Sequence, residues 1–152
     1  MRVNGYEIRS GAALEGANLQ GANLRELRFA SANLISANLS EAHLDRAVLN
    51  GSKLRYADLG WASLKGAFLS NCDLTEANLA HADLTGADLS GATLVGANLT
   101  YSCLVGALLV GANLTDCHMP GANMNEADLT NSVLTRVNLK DVWMLRVIGY
   151  EP

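Results

Sequence analysis

A five-residue phrase repeats without interruption from Ala12 to Arg146, and this period constrains the chain more than any other property. Leucine recurs at every fifth position, from Leu14, Leu19 and Leu24 through Leu34 and Leu39 to Leu139. Of the 27 such centres, 23 are leucine, and Phe29, Met119, Met124 and Met144 fill the others. Two residues before each centre stands a small side chain: alanine in 19 cases, with Ser52, Cys72, Ser102, Cys117 and Ser132 as near-equivalents. Only Leu27, Val137 and Val142 are larger there.

The period excludes the ordinary elements. On an α-helix five residues advance a side chain by about 500°, so the leucines would spiral around the rod and form no stripe. In a straight strand an odd repeat would throw every second leucine to the opposite face. The small residue and the leucine are two apart, so both can point inward from a short extended segment while the residue between them points out. The remaining two residues must then turn the chain. Repeating that bend wraps the backbone into a coil whose turns hydrogen-bond to one another, and long fixed-period repetition is the signature of such a solenoid.

Phrases such as Ala17-Asn18-Leu19-Gln20-Gly21, Ala77-Asn78-Leu79-Ala80-His81 and Ala87-Asp88-Leu89-Ser90-Gly91 resemble the A(D/N)LXX unit of the pentapeptide-repeat family. The resemblance covers 135 of 152 residues. It implies an all-β fold, a right-handed quadrilateral β-helix with four repeats per coil; spacing alone does not distinguish four sides from three. At four per coil the 27 repeats make 6.75 coils, a rod about 32 Å long at a rise near 4.8 Å. Hydrophobic content of 49% with only 5% aromatics suits a narrow interior that admits Leu and Ala and little else.

Outside the repeat, residues 1–11 are expected to form an N-terminal cap, because Tyr6 and Ile8 alternate with Glu7 and Arg9 as in a short strand and an open coil end needs cover. Residues 12–146 form the β-helix and 147–152 a tail. Within 137–148, Val137, Val142, Trp143, Met144, Leu145, Val147 and Ile148 make an apolar segment, with Gly149 and Pro152 behind it. This segment is expected to fold over the last coil or to join two subunits, so the chain is read as monomer or homodimer. Leu27-Arg28-Phe29 places bulk where Ala and Leu are usual, and a local swelling of the coil is expected there.

No apolar run approaches the roughly 20 residues that span a bilayer, and Met1–Ser10 lacks the apolar stretch of a signal peptide. Three cysteines, Cys72 and Cys117 inward and too far apart to bridge, Cys103 outward, suit a reducing compartment. The chain is therefore read as cytoplasmic, with no membrane partner.

With four sides, residues 20 apart stack into columns. Asn18, Asn38, Asp58, Asn78, Asn98, His118 and Asn138 make a nearly continuous amide ladder, and beside it Glu41, Trp61, His81 and Tyr101 share one corner. Exposed Trp and Tyr are typical interface anchors. Trp61, His81 and Tyr101, flanked by the amides of Asn78 and Asn98, are thus the candidate protein-interaction surface. A second outward column carries Val48, Phe68 and Leu108 and is broken by Asp88, with Val95, Val105 and Val110 nearby.

Charge gives the rival surface. Between Gly66 and Thr135 there is no Lys or Arg, while Asp73, Glu76, Asp83, Asp88, Asp116, Glu126 and Asp128 supply seven carboxylates. Direct nucleic-acid binding, which needs clustered cations, is not expected. Some members of the family that the chain resembles mimic duplex DNA, bind DNA gyrase and confer quinolone resistance. An acidic rod invites that comparison through Asp73, Asp83, Asp88, Asp116 and Asp128, although these fall on several sides. Catalysis is not expected either: His43 and His118 stand on different sides, Cys117 beside His118 points inward, and a filled coil offers no pocket or oxyanion hole. Neither a Cys-x-x-Cys or His-x-x-x-His metal motif nor a phosphate loop is present. No metal and no cofactor is expected. The sequence leads to a non-enzymatic scaffold that presents a rigid surface to an unidentified protein partner.

Overall fold

Parallel backbone bridges join each outward middle residue to the residue 20 positions on: Ala13 to Asn33, Asn33 to Lys53, Asn18 to Asn38, and so on to Asp128 with Ile148. Four repeats therefore close one coil, and the chain is a right-handed quadrilateral β-helix. The computed structural model describes residues 1–151; Pro152, assigned from sequence to the tail, lies outside them.

Each repeat spends its backbone groups in one pattern. The N–H of centre Leu14 donates to the carbonyl of Asn33 at 2.7 Å, Asn33 N–H returns to the carbonyl of Ala12 at 2.9 Å, and Gly16 N–H reaches Ile35 at 2.9 Å. The corner is a four-residue turn in which Ala17 N–H donates to the Leu14 carbonyl at 3.0 Å. Its third residue, Gly16, has φ of 63°, and the same left-handed value returns at every corner, as at Glu41 (58°) and Gly86 (64°). That is the signature of a type II turn, for which glycine is the easiest residue.

The pattern leaves the fourth residue of each repeat without a backbone acceptor, and this explains the Asn or Asp of the phrase. Asn78 Oδ1 accepts the N–H of Ala80 at 3.2 Å, Asp88 Oδ1 that of Ser90 at 3.0 Å, and Asn113 Oδ1 that of Thr115 at 3.0 Å. These are Asx turns. Where His118 replaces the Asn, the fourth residue is Pro120, which has no N–H to satisfy.

Inside, the leucine centres and their alanines fill the coil from end to end; Leu34, Leu89 and Leu114 are completely buried. The few polar stand-ins for alanine find internal acceptors: Ser102 Oγ donates to the Leu99 carbonyl, Cys72 Sγ to that of Leu49, and Cys117 Sγ to that of Leu94. Ser132 Oγ alone is buried with no partner among the described residues. At the bulky phrase the coil keeps its Arg28–Val48 bridge and buries Phe29 fully. The extra bulk emerges at the corner, where Leu27 is left half-buried and its turn bond to Leu24 lengthens to 3.3 Å.

The two ends differ. Before the repeat, β1 (Arg2–Val3) and β2 (Tyr6–Glu7) pair antiparallel, so the expected single strand is a hairpin turning at Asn4-Gly5. Ile8 is buried against the first coil, and the Tyr6 hydroxyl accepts the Asn18 N–H at 3.2 Å, a donor for which no preceding coil exists. At the far end the apolar segment 137–148 does not fold over the last coil; it forms that coil, with Trp143 bridged to Asn123 and Ile148 to Asp128. The reason is register: Val137, Val142 and Val147 continue the small-residue phase. Consequently Leu134, Leu139, Val142 and Met144 are only half-buried, and the interior is open at that end.

Candidate functional site

Corner residues project from the turn into solvent, and those 20 apart are held about one coil apart, so flat side chains in one column must stack. Trp61 and His81 do so with ring centroids 4.0 Å apart and planes 6° from parallel; His81 and Tyr101 follow at 5.4 Å and 23°. Trp61 is 67% and Tyr101 64% exposed. All three adopt left-handed backbone, with φ of 60°, 59° and 54°. That conformation disfavours bulky L-residues by roughly 1–2 kcal/mol each. The next corner in the column is Gly121, where a β-carbon would collide with the Tyr101 ring. Tyr101 therefore leans over Gly121, and the stack ends there.

The neighbouring amides are less available than the sequence suggests. Asn78 Nδ2 donates to Asp58 Oδ1 at 2.9 Å, and Asn98 Nδ2 donates to Asn78 Oδ1 at 3.2 Å. Asn98 Oδ1 accepts both the N–H and the hydroxyl of Thr100. The ladder thus spends its oxygens on the fold, and only N–H groups remain to face a partner.

The five carboxylates of the DNA-mimic comparison, Asp73, Asp83, Asp88, Asp116 and Asp128, separate into two sets. Arg136 grips Asp116 with two guanidinium hydrogen bonds and holds its carboxyl below the usual carboxylate range. Lys65 lies 3.1 Å from Asp83, and Arg55 lies 4.0 Å from Asp73. Burial alone would push the Asp83 carboxyl up, but hydrogen bonds from Thr85 and Lys65 outweigh it and the net shift is down. Asp88 and Asp128, in the column of Val48, Phe68 and Leu108, have no cation partner among the described residues. The sequence shows a region without Lys or Arg; in space the coil returns Arg55, Lys65 and Arg136 to it. The spacing of 18 or 20 residues was the signal that would have found them.

A shallow depression of about 320 Å³ is lined by Arg25, Glu26, Asp45, Arg46 and Lys65. Its charges are mutually engaged. Arg25 Nε donates to Asp45 at 2.9 Å and its Nη2 meets His43 Nδ1 at 3.1 Å, while Arg46 faces Glu26 at 3.6 Å. Burial would raise the Asp45 carboxyl, but Ser63, Arg25 and the Lys65 N–H together lower it. The Cys72 and Cys117 thiols are pushed up to about 12 by burial. His43, His81 and His118 lie in three different columns. Among the described residues no group of three His, Cys, Asp or Glu side chains converges, and no helix is long and apolar enough to cross a membrane.

This geometry can be set beside known proteins. The chain is similar over 65% of its length, at 32% identity and a TM-score of 0.64, to a pentapeptide repeat protein from the thylakoid lumen of Arabidopsis thaliana, of which it covers 69%. It is similar at 29% identity and a TM-score of 0.57 to HetL, a pentapeptide repeat protein involved in heterocyst differentiation regulation in the cyanobacterium Nostoc. That match covers 93% of this chain and 74% of HetL. QnrB1, a plasmid-mediated fluoroquinolone resistance protein, aligns over 93% of this chain and 89% of its own with a TM-score of 0.52; at 19% identity this shows a shared fold alone. No curated protein matches the sequence. The family model for pentapeptide repeats matches in 8 copies across residues 10–46, 32–71, 72–111 and 107–142. By its sequence period, its four-sided coil and this match, the chain belongs to the pentapeptide-repeat family.

Proposed function

We propose that this protein is a non-enzymatic scaffold that docks a protein partner along the Trp61–His81–Tyr101 corner. The carrying observation is the solvent-exposed aromatic stack itself: three rings held at left-handed corners where glycine would be conformationally easier. Backbone strain retained at exposed aromatics is a reason to look for function there. The stack leaves Trp61 and Tyr101 about two-thirds exposed, and beside it each of the Asn78 and Asn98 amides donates one of its two N–H groups within the ladder and keeps the other for a partner.

In this reading residues 1–11 cap the rod, 12–146 form the rigid body and 147–152 the tail. The open apolar end, with Trp143, Leu145 and Ile148 at 65%, 64% and 57% exposure, is a homodimer contact. Free Cys72, Cys103 and Cys117 support a cytoplasmic setting. The DNA-mimic alternative toward gyrase loses support, because three of its five carboxylates are ion-paired.

A pull-down from lysate of the source organism at low and high salt tests the reading, with a Trp61→Gly/Tyr101→Gly variant in parallel. Glycine suits these corners, so the variant keeps its fold. A partner that survives salt and is lost in the variant is the expected result. Capture that salt abolishes and the variant retains would transfer the function to the acidic surface.

A further inference from the structure

Three of the six acids at the corners of this rod share a habit. Glu26 faces Arg46 at 3.6 Å, Asp116 faces Arg136 at 2.5 Å and Glu126 faces Arg146 at 3.6 Å, in each case with the cation one coil further along the same corner. Glu41 occupies an equivalent corner at φ 58°, but one coil further along its corner stands Trp61, and on the other side Gly21. No ion pair or hydrogen bond among the described residues engages the Glu41 carboxylate. Lys65, a nearby cation on the adjoining side, is held by Asp83.

The faces of the aromatic stack are not equivalent either. His81 is covered on both faces, and Tyr101 leans over Gly121. On Trp61, 67% exposed, His81 is the only ring that stacks among the described residues, and the other face is turned along the rod toward the coil of Glu41. The 4.0 and 5.4 Å separations together span about two coil rises of about 4.8 Å, so the displaced ring is His81, drawn toward Trp61. This corner therefore sets an exposed carboxylate without an ion pair one coil from the electron-rich face of an indole, and both attract positive charge.

We propose that Glu41 and the open face of Trp61 form a socket for an arginine side chain of the docking partner. The inference rests on the aromatic corner being the docking surface. A guanidinium is the best occupant because it is planar: it extends the stack on Trp61 while its edge N–H groups reach the Glu41 carboxylate. A lysine ammonium cannot stack in this way. The partner would thus supply at Glu41 the cation that the chain provides for itself at Glu26, Asp116 and Glu126.

The direct test follows the Trp61 indole N–H by NMR, assigned with a Trp143→Phe variant that leaves Trp61 the sole tryptophan. The probes are N-acetyl-arginine amide and its neutral isostere N-acetyl-citrulline amide. The arginine probe should shift the Trp61 resonance saturably, and citrulline or Glu41→Gln should weaken the response roughly three- to tenfold. Equal responses to the two probes, no saturation, or an unchanged response in Glu41→Gln would overturn the socket. The pull-down separates the two claims: capture lost in Trp61→Gly/Tyr101→Gly but full in Glu41→Gln refutes the socket and keeps the docking surface. Capture retained in both variants refutes the docking surface and the socket with it.

Discussion

Asn98 does three things at once: it accepts the Thr100 N–H at 3.1 Å, accepts the Thr100 hydroxyl, and donates to Asn78 at 3.2 Å. Its replacement by alanine leaves a half-buried donor without an acceptor and should destabilise the protein by about 1–2 kcal/mol. Asn98→Asp keeps both acceptor roles and should recover most of that loss, as measured by chemical denaturation. Ser132 is the inverse case. Its buried hydroxyl has no partner, and the phrase calls for alanine there, so Ser132→Ala should leave stability unchanged or raise it by up to about 1 kcal/mol in the same assay. At this scale the sequence was highly legible: Ala, Leu and Asn or Asp each announce their burial or their turn. What it did not announce was consumption. Asn78 and Asn98 read as free surface amides because a sequence does not show that the fourth residue of every repeat needs an acceptor. Pro120 after His118 was the visible exception that could have revealed it.

A coil is the element here, and its energetics are those of one turn against the next. Asp45, Asp83 and Asp116 take their cation partners from other coils: Arg25, Lys65 and Arg136 respectively. Each carboxyl is held below its ordinary value, for Asp45 and Asp83 despite burial that would raise it. A depressed folded value means stability that is present above the ordinary carboxylate pKa and lost as pH falls through the folded value. The melting temperature should therefore be nearly flat from neutrality to about pH 5 and decline below about pH 4. Arg25→Gln should flatten part of the decline, and a melting temperature that rises on acidification would contradict the assignment. These pairs were hidden in the sequence because the chain segment around each acid holds none of its partners. Only the 20-residue pitch makes them neighbours, and that pitch came from the family resemblance and not from the five-residue period.

For the whole molecule the two ends set the behaviour. The hairpin at residues 2–7 brings Ile8 and the Tyr6 hydroxyl onto the first coil, whereas the last coil leaves Leu139, Val142 and Met144 half-buried with Trp143 and Ile148 outside. If two such ends meet, sedimentation at micromolar concentration should show a dimer that Trp143→Ser/Ile148→Ser converts to monomer. A monomer throughout would remove the self-association reading. The sequence marked this segment as apolar but not its role. Folding over the coil and being the coil use the same valines, and only the continued bridges to Asn123 and Asp128 separate them.

The bridge from each residue to the one 20 further on also governs how such a chain can change length. Every side chain has an address given by its remainder on division by twenty, and the address decides which column it joins. Loss or gain of five residues keeps the core in phase but rotates everything beyond it by a quarter turn, so Trp61 and Tyr101 would face different sides if the change fell between them. Loss or gain of one complete coil preserves every column and alters only the rod's length. Docking surfaces on this fold can therefore lengthen or shorten only in whole coils, and a surface written across several coils is inherited as a unit.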